Sequence, residues 1–86
     1  MRIQNITGNG TWQTVALPAD GNTYEVYIQN SASVAVSVRM ENNTSEEWTV
    51  KSGDVAELCV APKQDGHLAV QAASGTIEVR YEKSRC

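Results

Sequence analysis

Chemistry at a protein surface needs a proton carrier, a nucleophile or a set of metal ligands, and this chain of 86 residues holds few of each. His67 is its one histidine, placed directly after Asp65-Gly66 and at the head of the run Leu68-Ala69-Val70. An exposed turn residue is the expected reading. Cys59 lies eight positions earlier, which would allow a Cys-His pair across neighbouring strands. Its apolar sequence surroundings, however, lack the cation or helix terminus that activates a thiol. Asp20, Asp54 and Asp65 each adjoin a glycine in a separate turn, an arrangement that turn formation explains and the clustered oxygens of a calcium site do not. One histidine and two distant cysteines fall short of a structural zinc. No glycine run leads into a helix as a phosphate-binding loop does. The expectation is therefore no catalytic centre, no metal and no cofactor.

Binding chemistry is better supplied. Trp12 and Tyr27 could stack on a sugar ring, which makes a carbohydrate-binding module one functional alternative. Trp48 is expected in the core, because a chain with no phenylalanine must fill its interior with other large side chains.

Those residues have to be positioned by one small domain spanning 1–86. Apolar residues make up 41% and charged residues 20% of the chain, a balance that buries a core rather than leaving the chain disordered. Ten acids and seven bases are scattered along it for a net charge of -3, with no basic patch to release counterions from nucleic acid. No stretch approaches the roughly 20 apolar residues that span a bilayer, and the amino terminus lacks the apolar core of a secretory signal. Synthesis in the cytoplasm is expected. Cys59 lies in an apolar run and Cys86 is the last residue, so two unpaired thiols are expected rather than a bridge.

Alternation of period two dominates the chain. Tyr24, Val26 and Ile28 oppose Glu25, Tyr27 and Gln29; Val34, Val36, Val38 and Met40 oppose Ala35, Ser37 and Arg39; Ile77, Val79 and Tyr81 oppose Glu78, Arg80 and Glu82. Weaker alternation marks Val15 and Leu17, Trp48 and Val50, and Leu68, Val70 and Ala72. Turn residues punctuate these runs every 8 to 12 residues or so, and no window carries a helical pattern. The fold class is all-β: a compact antiparallel sandwich of seven or eight short strands, with jelly-roll connections as one way of linking them and a small closed barrel as the alternative. Ser52-Gly53-Asp54 is read as the turn of a hairpin joining the Trp48 strand to Ala56, Leu58 and Val60.

The outward residues divide into two kinds. Glu78, Arg80 and Glu82 form a solvated face. Ala35 and Ser37, with Ala69 and Gln71, are small and nearly uncharged, as the centre of a contact surface is. Val55 and Cys59 fall opposite Leu58, where they would face water unless a bulge near Asp54 turns Val55 inward or a neighbouring subunit covers the row. The covering subunit is the preferred explanation. Trp12, Tyr27, Ala35, Val55, Cys59 and Ala69 are thus the candidate interface or ligand residues.

The succession "YEVYIQNSASVAVSVRM", "WTVKSGDVAELCVAP" and "LAVQAASGTIEVRYEK" resembles small β-sandwich accessory proteins encoded among tailed-phage and prophage structural genes. In these a strand ending in Gln-Asn leads to a valine-rich strand, a Lys-x-Gly hairpin follows, and a Gly-Thr turn opens the final strand. The resemblance implies a virion or prophage component that works by assembly, as a homo-oligomer or with other virion proteins.

Overall fold

The computed structural model describes residues Arg2 to Ser84. The alternating runs become strands β2 (Gln13–Val15), β3 (Thr23–Asn30), β4 (Val36–Met40), β5 (Asn43–Val50), β6 (Val55–Val60), β7 (Leu68–Gln71) and β8 (Thr76–Ser84). A further strand, β1 (Arg2–Thr7), precedes them, and Pro62–Asp65 forms one helical turn, α1, in the segment read as a loop. β1 was not legible because its apolar residues, Ile3 and Ile6, are three apart. Gln4 and Ile6 take its inward positions opposite Val79 and Ile77, while Ile3 faces out.

Two four-stranded sheets result, with orders β1-β8-β3-β6 and β2-β7-β4-β5, and every pair is antiparallel. The pairs β1 with β8, β2 with β7, β3 with β6 and β4 with β5 nest inside one another, so the chain runs as one long antiparallel ribbon whose tip is the β4–β5 turn. Rolling that ribbon across two layers gives the eight-stranded jelly roll. The sheets do not close on each other, which sets aside the barrel.

Sheet membership corrects the hairpin reading of residues 46–60. The turn is real: Gly53 has φ 84°, and the Asp54 N–H donates to Lys51 O at 3.0 Å. But β5 belongs to the second sheet and β6 to the first, so the turn is an arch between layers. Local pattern cannot tell the two apart, because Val50 and Val60 point into the same core from opposite sheets.

That core is built from β-branched residues and leucine, with Ile28, Ile77, Leu68, Val26, Val36, Val38 and Val79 fully buried. Tyr24 and Tyr81 close one side of it edge to face, ring centroids 6.0 Å apart. Trp48 is corrected from core to rim: it lies opposite Val38 on the edge strand β5 and stays 39% exposed.

Among the described residues, one polar side chain is fully buried. Asn30, at the end of β3, donates through Nδ2 to Val34 O at 2.8 Å and Val50 O at 2.9 Å, and its Oδ1 accepts from the Ala32 N–H at 2.9 Å. Its backbone holds the arch as well, accepting from the Gly53 N–H and donating to Asp54 O. Beside it Gly75, with φ 87°, packs against Ala32 so closely that a Cβ there would stand 2.8 Å from the Ala32 Cα. Only glycine fits.

Three substitutions test this account by urea unfolding. Asn30→Ala strands two carbonyls and an N–H and should cost on the order of 3 kcal/mol or more. Leu68→Ala should cost about 2–5 kcal/mol through lost burial and a cavity. Glu78→Ala removes only a half-buried pair with Arg80 at the solvent face and should cost about 1 kcal/mol or less. A larger loss for Glu78→Ala than for Leu68→Ala would mean that β8 is out of register by one residue.

Candidate functional site

The two outer sheet faces carry the candidate residues, and register defines each face. On the first sheet the row Ile3, Arg80, Tyr27 and Glu57 crosses all four strands. Flanking rows are Glu82, Glu25 and Cys59 on one side, and Asn5, Glu78, Gln29 and Val55 on the other. Val55 is 56% and Ile3 58% exposed. The β3–β6 register is unbroken from Tyr24 opposite Val60 to Gln29 opposite Val55, so no bulge turns Val55 inward.

Tyr27 stands at the middle of this face between two hollows. One, of about 270 Å³, is lined by Glu25, Tyr27, Glu57 and Cys59 with Val26 and Leu58 beneath. The other, of about 200 Å³, is lined by Tyr27, Gln29, Val55 and Arg80. The Tyr27 hydroxyl donates to Glu25 Oε2 at 2.9 Å. That hydrogen bond, with burial and the charge of the glutamate behind it, raises the Tyr27 pKa above the usual tyrosine value. Arg80 donates through Nε to Glu78 Oε1 at 2.8 Å, which holds its proton more firmly and turns it toward Glu78.

Cys59 is not a free thiol. It is disulfide-bonded, which corrects the expectation of unpaired cysteines; the other cysteine of the sequence, Cys86, lies outside the described residues. The sequence argument rested on compartment and on position in the chain.

The second sheet presents a different outer face. Thr14, Ala69 and Arg39 form one row and Gln71, Ser37 and Thr49 the next. Arg39 is the charged residue in these rows, and its guanidinium sits 4.0 Å from the centre of the Trp12 ring in a cation–π contact. Ala69, between Arg39 and Thr14, is only 8% exposed: the chain's own side chains cover the position expected to await a partner. Ala35 stays exposed just before β4. Trp12 and Tyr27 therefore lie on opposite sides of the sandwich and form no shared sugar platform.

His67 also has a structural task. Its Nδ1 accepts from the Leu17 N–H at 3.2 Å and its carbonyl from the Glu41 N–H at 2.8 Å, tying the exit of β2 and the β4–β5 tip to the head of β7. Among the described residues no three of His, Cys, Asp and Glu gather as metal ligands would. Among the described residues no helix is long and apolar enough to cross a membrane. Comparison of the chain with protein-family models, curated proteins and solved structures finds no match.

Two measurements check this geometry. In a spectrophotometric titration, Glu25→Gln should bring the Tyr27 ionisation back down toward the ordinary tyrosine range. The stability that this hydrogen bond contributes is present below the ordinary tyrosine pKa and is lost as pH rises through the raised folded-state value. Thiol titration of the unreduced, denatured protein should find no Cys59 thiol, and one should appear after reduction.

Proposed function

We propose that the protein is a non-enzymatic assembly module, a structural component of a phage or prophage virion that associates with copies of itself. The observation that carries this reading is the outer face of the second sheet. Its paired rows hold Thr14, Gln71, Ser37 and Thr49 around a mostly covered Ala69, and their cation is folded onto Trp12. Such rows are poor in charge and do not repel their own copy, as the centre of an isologous interface requires. The jelly roll agrees with this reading without deciding it, since capsid and lectin domains both use that fold. Size adds a motive: a chain of 86 residues buries a modest share of its surface alone, and association buries more.

Sedimentation and light scattering over a concentration series test the proposal. The protein should form a discrete oligomer, and Ser37→Glu, which sets like charges against each other in a self-complementary contact, should weaken it about tenfold or more while the monomer stays folded. A monomer at every concentration would count against self-assembly, and an oligomer indifferent to Ser37→Glu would move the contact to another surface.

A further inference from the structure

The outer face of the first sheet has the opposite electrostatics. We infer that it is a second docking surface, whose occupant is an extended protein segment carrying a lysine or arginine and an apolar residue two positions apart. The inference rests on reading the protein as an assembly module and adds the chemistry of a different partner.

Charge excludes a second copy of the same face. The three central rows hold Glu57, Glu78 and Glu82 against Arg80, so three negative charges less one positive leave a formal excess of two, with Glu25, bonded to the Tyr27 hydroxyl, left out of the count. Arg80 is turned toward Glu78, away from the row of Glu82, and Glu57 stands two strands from it across Tyr27. Neither Glu57 nor Glu82 has a hydrogen-bond or ion-pair partner among the described residues. Two such faces brought together would bury like charge against like charge, which disfavours that pairing, whereas a cation meets a complementary field.

The hollows give the partner its shape. On one side of the Tyr27 ring is the hollow with Glu57 on its wall, suited to an ammonium or guanidinium group that can also lie against the ring. On the other is the hollow with Val55, suited to an aliphatic side chain. The two follow one another along β3 and β6, because the first is lined by residues near 25–27 and 57–59 and the second by residues 27, 29 and 55. Side chains on one face of an extended segment recur about every 7 Å, at i and i+2, which matches a step of two residues along β3. A rigid aromatic between two fillable hollows is also how the centre of a tight contact is commonly built.

Fluorescence anisotropy with labelled peptides tests this. The probes are extended hexapeptides bearing Arg-x-Leu or Lys-x-Leu, with Glu-x-Leu and Arg-x-Asp as controls, titrated with the whole protein at low and at physiological salt. The cation–apolar peptides should bind, with affinity falling as salt rises. Glu57→Gln should weaken binding roughly threefold to tenfold, and Tyr27→Ala roughly thirtyfold. Ser37→Glu, on the other sheet, should leave it unchanged. Equal binding of the Glu-x-Leu peptide, no binding of any peptide, or binding indifferent to both Glu57→Gln and Tyr27→Ala would overturn the inference. So would an increase in self-association on Glu57→Gln, which would make a second copy the occupant. Scattering on the same samples separates this outcome from the assembly reading: an oligomer that ignores the peptides refutes the second surface alone, and a monomer that binds them refutes self-assembly alone.

Discussion

The buried amide of Asn30 is the interaction on which the sandwich depends. A jelly roll must carry its chain repeatedly from one sheet to the other, and each crossing leaves backbone groups that no strand ladder satisfies. At one end of this molecule two crossings meet, the link from β3 to β4 and the arch from β5 to β6. Asn30 satisfies a carbonyl and an N–H of the first and a carbonyl of the second, using both of its side-chain donors. An aliphatic residue would fill the same space and leave all three groups unpaired in a dry interior. The bare backbone of Gly75 lets the Ala32 loop close down over this network, and the Ser52 hydroxyl adds a bond to Ala32 O at 2.6 Å.

Once the crossings are fixed, the layers acquire their separate surfaces. The buried inward side chains of both sheets share one core, so each sheet has a single free face, and the two lie back to back. Register then composes each face from strands distant in sequence. Glu57 and Arg80 come to flank Tyr27, and Arg39 reaches Trp12 from two strands away across the small Ala69. The second face hides its cation on an aromatic ring, while the first keeps glutamates and open hollows.

Much of the first level of organisation was legible in advance. The inward residues of β3, β4 and β8 alternate without interruption, whereas in β7 the outward Ala69 is buried as well. The outward positions of Tyr27, Val55 and Cys59 follow from the same alternation. What was misread shares one cause. The segment 46–60 looked like a hairpin because both of its strands point apolar side chains at the core, whichever sheet they join. Trp48 looked like core because an inward side chain is ordinarily buried, and only its place on an edge strand leaves it at the rim. Ala69 looked open because its neighbours Arg39 and Thr14 are 30 and 55 residues away.

The sequence by itself determined, for every strand after β1, where it runs and which side of it faces in, and where the chain turns between them. Those properties are local: a period of two and a glycine or asparagine at a turn act through adjacent residues. Tertiary structure alone decided which strands pair, that the Gly53 turn joins layers instead of neighbours, that Cys59 is bonded, and that four glutamates share one face. These depend on contacts between residues far apart in the chain, whose free energy comes from filling one common core and satisfying buried backbone groups, and any apolar inward face can serve that core equally well until its partners are in place.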